Sequence, residues 1–148
     1  MKKRIIFGFL CMVWMIVIFN FSGSQGEESA GLSDRIVAML HQMIPIIPIN
    51  DTSIWIVRKL AHFSEYAILG ILYVCFFKTF HFRLRSVMMA SMLLVFIYAC
   101  TDEFHQLFVA GRSGQFKDVL IDTAGGTTGI LLLYGCQKFW RSNHTGNS

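Results

Sequence analysis

The chain has 148 residues, of which 54% are apolar and only 15% are charged, with a net charge of +4. Soluble domains carry about 25% charged residues, so this composition excludes an ordinary soluble domain and indicates an integral membrane protein. The length fits a single domain, which we assign to residues 1–141, followed by a polar tail at 142–148. The basic residues are scattered rather than clustered with aromatic residues, which argues against nucleic acid as a partner.

Four apolar runs follow one another, at about residues 5–21, 60–77, 86–101 and 119–136. Each approaches the ~20 residues that cross the ~30 Å hydrocarbon layer of a bilayer. Helices satisfy their own backbone hydrogen bonds in lipid, so we predict an all-α protein with four transmembrane helices in a compact bundle. The first run has a basic head, KKR, as a signal peptide does, but no small-residue cleavage site follows it. We therefore interpret it as a retained helix.

The longest predicted loop, residues 22–57, contains a helix of another kind. In the segment SDRIVAMLHQMIP, Ser33 is suited to the N-cap and Pro45 to the end of a helix, and apolar residues recur between them at helical spacing. The pattern predicts a short amphipathic helix. It either lies in the membrane interface or packs as a cover on the end of the bundle.

The distribution of basic residues predicts the orientation. With both termini on one side of the membrane, eight lysines and arginines fall on that side and five on the other. The positive-inside rule then places the N-terminus and the C-terminus in the cytoplasm. All the acidic residues fall on the outer side in this arrangement.

The four cysteines, Cys11, Cys75, Cys100 and Cys136, all lie within predicted helices and have no CxxC spacing. This pattern predicts neither a disulfide nor a zinc site made from them.

The polar residues of the predicted helices gather at the outer end of the bundle. Lys59, His62 and Tyr66 share one helix face because their spacing is i, i+3, i+7. A second group ends the third helix, and the turn after it carries an arginine between two glycines. The candidate binding residues are Lys59, His62, Glu65, Tyr66, Asp102, Glu103, Gln106, Arg112, Asp118 and Asp122.

The fourth helix begins with a stripe of two carboxylates and two glycines. Asp118, Asp122, Gly125 and Gly129 follow i, i+4, i+7, i+11 and therefore lie on one face. Glycines at this spacing allow a neighbouring helix to approach closely, so we predict that the stripe faces the bundle rather than lipid.

A carboxylate inside a membrane protein requires a partner. We expect Lys59 and His62 to neutralise Asp122. We expect Arg112, from the turn after the third helix, to fold back over Asp118 or Asp102.

Two blocks of the sequence resemble the VanZ-like membrane protein family. The first has the pattern K-x-x-H-x-x-x-Y-x-x-L-G, from Lys59 to Gly70. The second has D-E-x-x-Q-x-F, then G-R, then D-x-x-x-D-x-x-G-x-x-x-G, from Asp102 to Gly129. The resemblance covers nearly the whole chain. It departs from the family where Ala110 replaces an expected Pro and where Asp122 stands at a position often held by Asn.

The resemblance implies a multi-pass protein of the bacterial cell membrane. One family member is associated with low-level resistance to teicoplanin, a glycopeptide antibiotic that acts at the outer face of that membrane. The family pattern therefore favours an accessory envelope protein that affects glycopeptide susceptibility through an outer polar site. That site would recognise a lipid head group, a cell-wall precursor or the drug, which are the expected partners besides the bilayer.

Three alternatives stay open on the sequence alone. The first is a membrane-embedded enzyme that acts on a lipid-linked substrate by histidine and carboxylate acid–base chemistry or with a divalent metal. In the second, the polar cluster is purely structural. The third, a small transporter, is the weakest because four helices without inverted repeats do not match the usual transporter design.

No metal or other cofactor is expected, and no catalytic residue is assigned. His62 and Glu65 form an H-x-x-E pair, which is not the H-E-x-x-H arrangement of zinc hydrolases. If a divalent cation were bound, the oxygen-rich set of side chains would suit Mg²⁺ or Ca²⁺. An enzymatic activity is not favoured.

Overall fold

Five helices make up the computed structural model, which describes residues 1–23, 26–112 and 114–145. They are α1 (Lys2–Gly23), α2 (Gly26–Met43), α3 (Asp51–Lys78), α4 (Leu84–Gln106) and α5 (Phe116–Thr145). Helices α1, α3 and α4, and α5 over Phe116–Trp140, are long and apolar enough to cross a membrane. The prediction of an all-helical membrane protein with four spanning helices is confirmed.

The helices extend beyond the apolar runs that predicted them. Helix α3 begins at Asp51, well before residue 60, because the Asn50 side chain caps it by accepting a hydrogen bond from the Ser53 N–H at 2.9 Å. Helix α5 continues to Thr145, past the predicted end at residue 136 and into the polar tail. The apolar runs therefore underestimate the lengths of α3 and α5, and for α3 the capping residue marks the start of the helix.

Helix α2 is the predicted amphipathic helix, with a different start. It begins at Gly26, so Ser33 lies inside the helix and the predicted N-cap at this position is wrong. Its end at Met43, just before Pro45, agrees with the predicted stop.

Helix α2 packs against α3 and keeps an apolar stripe on its surface. Val37 is fully buried, and the contacts of α2 are made with α3. Four large apolar side chains at helical spacing stay exposed: Leu32, Ile36, Met39 and Met43. The helix therefore covers the bundle with one face and presents an apolar face of the kind that inserts into a membrane interface.

The long helices pack so that polar side chains are concentrated at one end of the bundle. We call this end the polar end. Helices α1 and α4 end there, and α3 and α5 begin there, so α3 and α5 run parallel. They form the largest interface of the bundle. A Cβ added at Gly125 would lie 2.3 Å from the carbonyl oxygen of Phe63, and one at Gly129 would lie 2.1 Å from that of Ala67. The predicted close helix contact at these two glycines is confirmed.

Helix α1 is joined to the other helices by buried apolar residues and by side-chain hydrogen bonds. The indole N–H of Trp14 donates to the carbonyl oxygen of Glu65 at 2.9 Å, and the Tyr98 hydroxyl donates to that of Met15 at 2.6 Å. Around these bonds the core contains Ile18 and Leu69, both fully buried. All four cysteines are free, as predicted.

Candidate functional site

A cavity of about 140 Å³ lies at the polar end between α3, α4, α5 and the turn that joins the last two. Its lining includes the following predicted site residues: Lys59, His62, Glu103, Gln106, Arg112, Asp118 and Asp122. The remaining predicted residues, Glu65, Tyr66 and Asp102, lie against members of this group. The structure thus brings together side chains that the sequence spreads between Lys59 and Asp122.

Lys59 forms an ion pair with Asp118, which joins α3 to α5 at the wall of the cavity. Both side chains are mostly buried, with exposed fractions of 19% and 16%. The expectation that Lys59 would neutralise Asp122 is therefore wrong. The lysine ammonium neutralises the carboxylate nearer the helix end.

Glu103 fastens the turn between α4 and α5. Its Oε1 accepts a hydrogen bond from the Gln106 amide at 3.1 Å, and its Oε2 accepts one from the Gln115 backbone N–H at 2.9 Å. The turn approaches so closely that a Cβ added at Gly114 would lie 2.3 Å from the Glu103 carbonyl oxygen. Glu103 therefore shapes the cavity by holding the start of α5 against the end of α4.

Arg112 turns inward from this turn and contacts α1. Its Nη2 donates a hydrogen bond to the carbonyl oxygen of Phe21 at 3.2 Å. Burial and the nearby charge of Arg58 lower the pKa of the Arg112 guanidinium, whereas the neighbouring carboxylates of Asp102 and Glu103 act to raise it. The expected pairing of Arg112 with Asp118 or Asp102 stays a prediction, because the hydrogen bond described for this guanidinium goes to Phe21.

Four further residues line the cavity that sequence reasoning did not assign to the site: Trp55, Arg58, Gly111 and Gln115. Arg58 lies one turn before His62 on the same helix face, a spacing that could have indicated its role. Its Nε is buried and has no hydrogen-bond partner. Trp55 lies with its ring 5.9 Å from the Lys59 ammonium. Gln115 contributes a backbone N–H, for which the sequence carries no signal.

The innermost part of the site consists of one imidazole and two carboxylates. His62 of α3, Asp102 of α4 and Asp122 of α5 each present a nitrogen or oxygen atom, and these atoms all lie within 4.8 Å of one another. Only 2% of Asp102 and 1% of Asp122 are exposed. Glu65 adds a further carboxylate, with its Oε2 at 3.9 Å from the His62 Nδ1.

The chemistry of the site differs between its entrance, near the helix ends, and its floor, deeper in the bundle. Arg58 and Arg112 provide positive charge near the helix ends, where an anion could bind. His62, Asp102 and Asp122 provide lone pairs deeper in the bundle, where a cation or a transferable proton could be held. Both chemistries face one small cavity.

A family model described as VanZ/LLP1 matches residues 7–139 of the chain. The matched range contains every site residue named above, and the resemblance inferred from the two sequence blocks is confirmed. No curated protein and no solved structure matches the chain.

Proposed function

The chain belongs to the VanZ/LLP1 family, and we propose that it is a bacterial cell-envelope protein whose polar site binds the phosphate-bearing head group of a lipid. The polar end faces outward in this proposal, and both termini lie in the cytoplasm. The distribution of lysines and arginines supports this orientation.

The pair of arginines at the cavity carries the proposal. Arg58 and Arg112 both line it, and they lie close enough for the charge of one to affect the pKa of the other. The nearby Lys59 is already neutralised by Asp118. The planar N–H groups of two neighbouring guanidinium ions suit the oxygens of one phosphate. A phosphate head group would therefore be bound at this place.

The size of the cavity favours a head group over a whole antibiotic. Sites for drug-sized ligands occupy about 300–1,000 Å³, whereas this cavity measures about 140 Å³. A glycopeptide such as teicoplanin does not fit inside it. An influence on glycopeptide susceptibility would then arise from the lipid or lipid-linked precursor that the protein binds, at the same face where such drugs act.

Binding can be measured through tryptophan fluorescence, to which Trp55 at the cavity contributes together with Trp14 and Trp140. The purified protein in non-ionic detergent would be titrated with short-chain phosphatidic acid, and with phosphatidylcholine of the same chain length. We expect saturable binding of phosphatidic acid, weaker by about 10- to 100-fold in Arg58→Gln and Arg112→Gln, because a hydrogen bond to a charged group contributes ~1.5–3 kcal/mol. Arg85→Gln, an exposed arginine at the opposite end, is the matched control. Equal binding of both lipids, or no loss in either site variant, would contradict the proposal.

A membrane-embedded enzyme is the second candidate function. The observation that favours it is the convergence of His62, Asp102 and Asp122 next to the proposed phosphate position. Such groups can act in acid–base or metal-assisted cleavage of a phosphate ester. Incubation of the protein with a phosphatidic acid and assay of released phosphate tests this candidate, since a binding protein returns the lipid unchanged.

A further inference from the structure

The floor of the site contains buried ligand atoms that the protein leaves without hydrogen-bond partners. Both carboxylate oxygens of Asp102 and the Oδ2 of Asp122 are buried and unbonded. Ser22, Tyr66 and Gln106 lie beside Asp102, but none of them makes a hydrogen bond of good geometry with its oxygens. Buried polar atoms in proteins are almost always bonded, so a group of them aimed at one point indicates a missing ligand.

The charges at this point indicate that the missing ligand is a cation. Two carboxylates lie within 4.8 Å of each other and of His62, and only 2% of Asp102 and 1% of Asp122 are exposed. Lys59 forms its ion pair with Asp118 instead. Two buried carboxylates this close repel each other and lose their hydration, which is costly in a membrane protein. A bound cation would offset both costs.

We propose that His62, Asp102 and Asp122 form a binding site for one divalent transition-metal ion, Zn²⁺ or Mn²⁺. An imidazole nitrogen with two carboxylate oxygens suits these ions better than Mg²⁺ or Ca²⁺, which prefer oxygen ligands alone. Metal–ligand distances of ~2.1 Å place neighbouring ligand atoms ~3.4 Å apart, so the ligand atoms must draw together by at most about 1.4 Å.

The surroundings of the three side chains fit a metal site. Glu65 lies 3.9 Å from the His62 Nδ1, on the side where a carboxylate commonly orients a metal-binding histidine. Tyr66 and Gln106 lie beside Asp102, where they can hold it in place. His62 and Asp122 also line the cavity, so an ion bound here keeps a coordination position directed at it.

The test uses the full-length protein in non-ionic detergent, stripped with EDTA, with no phospholipid added. Zn²⁺ and Mn²⁺ are titrated separately, and bound metal per chain and thermal unfolding are measured. We expect one ion per chain and a raised Tm for at least one of the two metals. Asp102→Asn and Asp122→Asn should weaken metal binding by at least about 10- to 100-fold. A loss of this size is seen when a residue that only hydrogen-bonds to a metal ligand is removed. Asp34→Asn, an exposed aspartate on α2, is the matched control.

The Tm of the metal-free protein shows whether each variant still folds. Because asparagine replaces a buried carboxylate that lacks a hydrogen-bond partner, the metal-free Tm of each Asn variant should equal or exceed that of the wild type. His62→Gln, at the less buried ligand, provides a third variant. Failure of both metals to bind the wild-type protein at one ion per chain would overturn the proposal, as would equal binding by all three variants. Since no lipid phosphate is present, this outcome is independent of the head-group binding proposed above.

Discussion

Lys59 and Asp118 form an ion pair between α3 and α5, although Asp122 lies one turn deeper on the same face of α5. Side chains on a helix lean toward its N-terminus. Because both helices begin at the polar end, the Lys59 ammonium reaches back to the carboxylate nearer that end. The pair neutralises the wall of the cavity, and Asp122 is left facing His62 and Asp102 at the floor.

The first prediction concerns this pair. Lys59→Met should destabilise the protein, because it leaves Asp118 partly buried and uncompensated. A fully buried pair that loses one member costs ~3–5 kcal/mol, so we expect about 1–3 kcal/mol for side chains that retain some exposure. Chemical unfolding in detergent measures the effect. The double variant Lys59→Met, Asp118→Asn should recover part of the loss, and strictly additive effects would show that the two charges do not interact in the native state.

The second prediction concerns the contact between α5 and α3. Gly129→Ala should destabilise the bundle by ~1–3 kcal/mol, as overpacking does in well-packed interiors, because its Cβ would lie 2.1 Å from the Ala67 carbonyl oxygen. That oxygen belongs to a helix backbone and has little freedom to move. Gly135→Ala on the same helix is the matched control, since nothing lies within 4 Å of its Cβ position. Equal thermal stability of the two variants would mean that α3 and α5 are further apart than described.

The glycine contact was predictable because both glycines lie on one helix. Gly125 and Gly129 share a face by spacing alone, and their small size has an effect only where another helix is near. The pairing of Lys59 with Asp118 rather than with Asp122 was not predictable from spacing along one helix. It depends on the parallel register of α3 against α5, in which Gly125 meets Phe63 and Gly129 meets Ala67.

The grouping of His62 with Asp102 and Asp122 was only partly predictable, because we expected His62 beside Asp122 but not beside Asp102. The sequence pairs His62 with Glu65, one turn along the same helix, and the two do lie together. The aspartates come from α4 and α5, and no local spacing connects them to His62. Spacing within a helix predicts neighbours on that helix, whereas ligands from three helices require the packing of the whole bundle.

The third prediction concerns orientation in the membrane. Phe82 and Phe116 are both exposed and lie at opposite ends of the bundle. In a cysteine-free background, Phe116→Cys should react with a membrane-impermeant thiol reagent added outside intact cells, and Phe82→Cys should react only after the cells are opened. The reverse pattern would place the polar end in the cytoplasm and remove the basis for an outward-facing site.

The fourth prediction separates a functional site from a purely structural cluster. His62 lines the cavity, and other residues make the Lys59–Asp118 pair and the glycine contacts that hold α3 against α5. We therefore expect His62→Gln to accumulate in membranes and to unfold within a few degrees of the wild type. In a deletion strain whose glycopeptide susceptibility the wild-type gene restores, the same variant should fail to restore it.

The matched control is His81→Asn, at the opposite end of the bundle. His81 is exposed and has a positive φ of 59°, a backbone conformation that asparagine adopts readily, so this exchange preserves the turn between α3 and α4. His81→Asn should complement as the wild type does. If His62→Gln also complements, the floor of the cavity has no part in the phenotype. If His62→Gln fails to accumulate, the imidazole supports the fold, because a protein that uses His62 only for binding would reach the membrane in normal amounts and lose the phenotype alone.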